Sequence, residues 1–289
     1  MPEMLTSDDL CLKGLVVGPA GGGKTSLFAS AADVPEMSPT CVLDFEGGSI
    51  SIAHRRDVYH ERIKSTAQLQ SVFFDIANGK GVHKDIKSYF IDSGSEFAEL
   101  CLEEVTAAAF VASQQNDRLA PRESVDDVQL KDYGKSTRRT RRLFRWFKDL
   151  DGKHVLISAL PQFRYPQPPP NASEVEKRAF DANIQRGLIK PIQIVPAFTQ
   201  KLGDGVVGYV DFAWYLNVVE QKDGALVRQL ITQRTGPLHF IKTRGPLFAQ
   251  ALGAGCTVEM ADGIPTINGE PAMRYLFDLY RSTLATGRA

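Results

Sequence analysis

A short apolar run, Leu12 to Val17, breaks into Gly18-Pro19-Ala20-Gly21-Gly22-Gly23-Lys24-Thr25, and Lys24 to Ala32 then reads as a helix. This strand, glycine loop and helix restrict the fold more than any other feature of the chain. Glycines let the backbone wrap around a phosphate with its N–H groups turned inward, and a helix N-terminus adds a favourable dipole. In G-x-x-x-x-G-K-[ST] the lysine reaches the β- and γ-phosphates and the hydroxyl coordinates Mg²⁺. The spacing therefore assigns Gly18, Gly21, Gly22, Gly23, Lys24, Thr25 and Ser26 to a bound nucleotide, with Thr25 also on the metal. A glycine turn ending in Lys-Thr by chance would not need the flanking strand and helix.

Further strand-like and helix-like pieces alternate along the chain. Thr40 to Phe45 and Ser88 to Ile91 are apolar runs, the second ending at Asp92, and His154 to Ala159 is a further buried strand. Helical periodicity marks Ser65 to Asn78, Ser95 to Ala112 and Ser136 to Leu150. Such alternation implies right-handed crossovers and a mostly parallel sheet with covered faces. Gln114 to Lys131 is polar and carries Pro121, so it reads as a loop or mobile insertion. Pro161, Pro166, Pro168, Pro169, Pro170, Pro191 and Pro196 preclude one continuous helix or central strand from 161 to 196. Lys222-Asp223-Gly224 makes a hairpin turn between Phe212–Val219 and Ala225–Thr232, and a helix closes the chain near Ala272 to Leu284. No linker cuts a second domain free. The expected organisation is a tail at 1–10, a core at 11–252 and a C-terminal extension at 253–289.

The 34 Lys+Arg balance 34 Asp+Glu, so no global field draws the chain to nucleic acid or an anionic membrane, and such binding needs a local patch. Cys11, Cys41, Cys101 and Cys256 are scattered, as are the five histidines, which argues against a disulfide framework or a zinc site of standard spacing. No signal peptide and no membrane-spanning apolar stretch is expected, which places the chain in the cytoplasm.

Two carboxylates follow strands. Asp92 would hold Mg²⁺ through water, the usual partner of such a loop. Asp44 and Glu46 share a face if their strand continues, and there a carboxylate can polarise a water for attack on the γ-phosphate. The chemistry leaves equal room for a solvated loop acid beside Gly47-Gly48.

In this order the pieces resemble a RecA-type ATPase core, and more narrowly the short phage-encoded RecA-like proteins of recombination and single-strand annealing. The resemblance rests on the glycine loop, Asp44-Phe45-Glu46, Asp92-Ser93, and Ile241-Lys242-Thr243-Arg244 with Gly245 to Ala251, and it covers about Cys11 to Leu252. It implies a RecA-like P-loop NTPase core of α/β class, a mostly parallel central sheet flanked by helices with a C-terminal antiparallel strand extension. It implies ATP and Mg²⁺ as ligands and Glu46 as general base. Lys242 and Arg244 would reach the γ-phosphate of a neighbouring copy, in a homo-oligomer with ATP at the protomer interface. The host cytoplasm is then the expected location, and single-stranded DNA the substrate. RecA relatives place a polar sensor directly after the fourth core strand; here Gln162 stands near that point. Little chain precedes the first strand to act as a polymerisation arm, so a ring or short oligomer stands beside a filament.

Lys135 to Lys148 carries seven basic residues and no acid, including Arg138, Arg139, Arg141, Arg142 and Arg145, around an apolar face of Leu143, Phe144, Trp146, Phe147 and Leu150. The arginines either hold DNA phosphates in a salt-dependent way or pair with the upstream acids Glu123, Asp126, Asp127 and Asp132. By position, 114–135 and 161–208 are the candidate DNA-facing loops; the second combines Arg164, Lys177 and Arg178 with Phe163 and Phe180, which suits stacking of bases. The leading expectation is an ATP-hydrolysing protein acting on single-stranded DNA. The alternative is a nucleotide-switched loader or scaffold for a protein such as a helicase or single-strand-binding protein. A small-molecule kinase has little use for D-x-E or the late K-x-R.

Overall fold

The structure is a computed structural model that describes residues 11–286 apart from 117, 118, 199, 204, 223 and 262. The expected tail at 1–10, and Asp223 of the expected hairpin turn, lie outside the described residues.

The first half alternates as expected: β1 (Lys13–Val17), α1 (Lys24–Ala29), β2 (Thr40–Asp44), β3 (Val58–Arg62), α2 (Thr66–Ala77), β4 (Ser88–Asp92), α3 (Gly94–Gln115), α4 (Leu130–Lys148) and β5 (His154–Ala159). Then come β6 (Pro161–Arg164), α5 (Glu174–Gln185), β7 (Gln193–Pro196), α6 (Gln200–Gly203), β8 (Phe212–Glu220), β9 (Leu226–Ile231) and β10 (Lys242–Thr243). The chain finishes with α7 (Pro246–Leu252), β11 (Gly255–Ala261), β12 (Ile264–Ile267), β13 (Glu270–Pro271) and α8 (Ala272–Thr286). The main sheet has the order β13-β12-β11-β9-β8-β1-β5-β4-β2-β3, with β10 on β8. From β3 to β8 the neighbours are parallel; from β8 outward they are antiparallel.

Burial explains the order. Every residue of β2, β4 and β5 is buried, as apolar runs at the centre of a parallel sheet must be. β3, Val-Tyr-His-Glu-Arg, is half exposed at the sheet edge and lacks an apolar run, which hides it from hydrophobic patterning. On one face, Phe97, Phe144 and Phe198 meet edge to face at 5.5 Å, locking α3 to α4 and to the segment after β7. Phe73 of α2 stacks on Trp146 of α4 at 5.1 Å. On the other face Phe28 of α1 packs on Phe90 at 4.7 Å.

Three segments take a more definite form than the sequence gives them. The stretch 114–131 is a loop as expected, with helix among its described residues only at its ends, where α3 runs to Gln115 and α4 starts at Leu130. Between them Arg122 is bonded to Asp132 at 2.7 Å with both side chains buried, and its Nη1 donates to the Asp127 carbonyl. Such a pair is set by tertiary folding and leaves no periodic trace. The stretch 161–208 contains a two-stranded β6–β7 ribbon with α5 at its far end. The prolines do prevent a continuous element, but the proline-free window from 171 to 190 holds one helix, started by Ser173 and Glu176 bonding each other's backbone N–H groups. Past residue 252 the chain adds three strands to the main sheet through β9, beyond the terminal helix that periodicity marks. Among the described residues no helix is long and apolar enough to cross a membrane.

Candidate functional site

Parallel strands point the same way, so their carboxyl ends form one rim, where ligands of open α/β sheets bind. The register aligns Asp44 with Asp92 and Val17 with Ala159, and Gly18 N donates to Ala159 O at 3.1 Å. The glycine loop, Asp92 and the end of β2 are thereby gathered along that rim.

The loop is shaped for backbone alone. A Cβ on Gly18 would lie 2.7 Å from Leu216 O, so the loop abuts β8 too closely for a side chain. Gly23, at φ 96°, takes a left-handed conformation immediately before α1. Lys24 is buried, its Nζ donating to Gly18 O and Pro19 O, each at 2.8 Å. Desolvation lowers the Lys24 pKa, opposed by Asp92 and Glu46. The ammonium folded on its own loop is a cation ready to exchange carbonyls for phosphate oxygens.

Thr25 Oγ1 donates to Asp92 Oδ2 at 2.7 Å, and Ser158 Oγ donates to Asp92 Oδ1 at 2.7 Å. Burial raises the Asp92 pKa, against those two hydrogen bonds and Lys24. The donor set suits Mg²⁺, which takes one or two protein carboxylates and completes its shell with waters and substrate phosphates. Among the described residues no group of three or more His, Cys, Asp or Glu is placed to hold a metal, so a metal here would depend on the nucleotide for ligands.

The two acids of D-x-E separate into different tasks. β2 ends at Asp44, so the shared strand face does not extend to Glu46. Asp44 is buried and accepts Gly47 N at 2.6 Å and Ser49 Oγ at 2.7 Å, with His60 Nε2 at 3.0 Å and Arg62 Nη1 at 3.1 Å. Burial alone would raise its pKa; the bonds from His60, Ser49 and Gly47 and the Arg62 charge outweigh that and bring it to about 2. Asp44 thus ties down the turn that carries Glu46. Glu46 is exposed as a residue, yet its carboxyl is raised, first by desolvation and then by Asp92, with Lys24 pulling the other way.

Lys242 and Arg244 lie elsewhere. Lys242 pairs in register with Ala213, beside Leu15, and Arg244 N donates to Asp211 O while Asp211 N donates to Lys13 O. Lys242 is thus level with the middle of β1, about 10 Å along the strands from Gly18, and Arg244 with its start, about 16 Å away. Lys242 Nζ donates to Val207 O and Val210 O, and Arg244 pairs with Asp211 at 2.7 Å.

On α4, Arg138, Arg142 and Arg145 are exposed and Arg141 is half-buried. Arg139 pairs with Glu104 of α3 at 2.9 Å, not with the upstream acids. Arg142 lies over Trp146 and Arg145 over Tyr209. Gln162 is exposed on β6. Ser158 and Arg228, whose Nε donates to Gly22 O at 3.2 Å, belong to the site and escaped sequence reasoning. Their trace in the sequence is only a polar residue within a mainly apolar strand, shared with His154 in β5 and Gln229 in β9.

Residues 11–244, most of the chain, match the AAA domain family. Among solved structures, the RadB recombinase aligns with a TM-score of 0.41 at 11% identity, over 87% of this chain and 88% of that one. No curated protein matches the sequence.

Proposed function

The chain belongs to the AAA domain family and is an AAA-type P-loop ATPase domain; we propose that it hydrolyses ATP with Mg²⁺ and couples turnover to single-stranded DNA. One observation carries the hydrolysis: the glycine loop with Lys24 inside it, Thr25 bonded to Asp92 across the rim, and Glu46 in the turn after β2 that Asp44 ties down. Lys24 takes the β- and γ-phosphate oxygens, offsetting charge that builds during transfer. Thr25 and Asp92 would hold Mg²⁺, which supplies further charge neutralisation at the phosphates. Glu46 accepts the proton of the attacking water as the bond from the γ-phosphorus to the leaving oxygen of ADP breaks. Its raised pKa brings the base nearer to neutral pH, where a general base works best. Lys242 and Arg244, far from their own loop, would serve the nucleotide of a neighbouring copy, Arg244 by reaching it and Lys242 by fixing the strand from which it reaches.

The DNA coupling rests on the exposed Arg138, Arg142 and Arg145 and on the ribbon that leaves the rim after β5, with exposed Phe163 beside Arg164. The test is ATP hydrolysis with and without single-stranded DNA at low and moderate salt. DNA stimulation that fades with salt is expected. Turnover indifferent to DNA would overturn the coupling, and absent turnover the hydrolysis. A loader or scaffold working through a protein is the second reading, favoured by Val175, Leu188 and Ile192, exposed at 76%, 70% and 59% around α5.

A further inference from the structure

The β8–β9 hairpin runs along the outside of the glycine loop. Leu216 backs Gly18, and Val218 Cγ2 comes within 3.4 Å of where a Cβ on Gly22 would be. Opposite Val218 on β9 is Arg228, which β11 flanks on its other side at Val258. Besides its Nε bond to Gly22 O, Arg228 is packed so closely that a Cβ on Gly23 would sit 3.3 Å from the same Nε. The guanidinium therefore lies against the Gly22–Gly23 peptide.

In a trans peptide the C=O and N–H point in opposite directions. A donor that holds the Gly22 carbonyl toward the hairpin turns the Gly23 N–H away from it, into the loop. Hydrogen bonds in series polarise one another, so the same contact makes that N–H a better donor to an anion. We propose that Arg228 is a positioning residue of the phosphate loop: through the Gly22 carbonyl it aims the Gly23 N–H at the bound phosphates and ties nucleotide affinity to the β8–β9–β11 extension. This rests on the nucleotide reading above.

The experiment uses the full chain as wild type, Arg228→Met, Arg228→Lys and Leu226→Ala, the last an exposed residue of the same strand that controls for loosening of the hairpin. Calorimetry gives the affinity for Mg-ATP and Mg-ADP, steady-state kinetics gives KM and kcat, and melting is followed with and without nucleotide. Arg228→Met should weaken both nucleotides by roughly 10-fold. KM should rise while kcat stays within about three-fold, because the contact serves binding alike before and during transfer. Leu226→Ala should bind as wild type. Arg228→Lys, which keeps the charge but not the planar Nε donor, should fall between Met and wild type. Wild-type affinity in Arg228→Met, with only a lower melting temperature, would overturn the proposal. If Arg228→Met does not fold, wild-type affinity in Arg228→Lys would do so. Failure of the wild type to bind either nucleotide would instead sink the nucleotide reading.

Discussion

Asp44 offers a measurable link between folding and the candidate base. Its carboxyl, ordinarily near 3.8, sits at about 2 because the native structure gives the anion four partners. A pKa unit is worth about 1.4 kcal/mol, so the anion contributes on the order of 2.5 kcal/mol to stability at pH 7. The sign follows from the depressed native value. The stabilisation is complete above the unfolded pKa and is lost as pH falls through the native one, with about half remaining at pH 3. Asp44→Asn keeps an oxygen for Gly47 N but loses the ion pair with Arg62. Urea unfolding at several pH values between 3 and 7 should show the variant less stable by about 2 kcal/mol at pH 7, with the gap roughly halved at pH 3. The turn bearing Glu46 should also loosen, lowering kcat more than nucleotide affinity. Parallel stability curves for the two proteins from pH 7 to pH 3 would refute the reasoning.

Lys24→Ala should abolish nucleotide binding in calorimetry, since Lys24 completes the phosphate loop with its ammonium on the Gly18 and Pro19 carbonyls; unchanged affinity would contradict the assignment. Glu46→Gln should bind ATP normally and turn it over at least ~100-fold more slowly in a phosphate-release assay, as expected for loss of a general base. Arg122→Met should cost about 3–5 kcal/mol in urea unfolding, because it leaves the buried Asp132 unpaired. Mixing Lys24→Ala protein with Arg244→Ala protein should restore turnover that each lacks alone. Persistent inactivity of the mixture would argue against action between copies.

What the sequence disclosed follows from which forces are local. The glycine loop and the runs of β2, β4 and β5 were legible because central parallel strands are apolar throughout and end at fixed punctuation. The β8–β9 hairpin was legible from the turn residues Lys222-Asp223-Gly224 between two strand-like runs. β3 was not, since an edge strand needs no apolar run, and neither was α5, a helix with no buried residue and therefore no periodic stripe. At the site, spacing named Lys24, Thr25 and Asp92 but could not divide the work between Asp44 and Glu46. That division comes from His60 and Arg62 on β3, the strand that was missed. Arg228 is 206 positions from its partner Gly22, a pairing only the sheet order creates.

The placement of Lys242 and Arg244 bears on how a second copy would use them. Along the strands Lys242 stands about 10 Å and Arg244 about 16 Å from their own loop, farther than either side chain can span, so a role at a γ-phosphate would have to be played on a neighbour. The two are not equally available. Lys242 is half-buried, its ammonium committed to the carbonyls of Val207 and Val210, and desolvation with the Arg244 charge lowers its pKa. Drawing it out would strand two carbonyls. The Arg244 side chain is 62% exposed, and its ion pair with Asp211 is of the surface kind worth at most about 1 kcal/mol. A planar guanidinium also matches phosphate oxygens better than an ammonium does. Between the two basic residues of Lys-Thr-Arg, Arg244 is therefore the one whose side chain is free to leave its place, as the proposed action on a neighbour's nucleotide requires, while Lys242 holds the segment around Val207 and Val210.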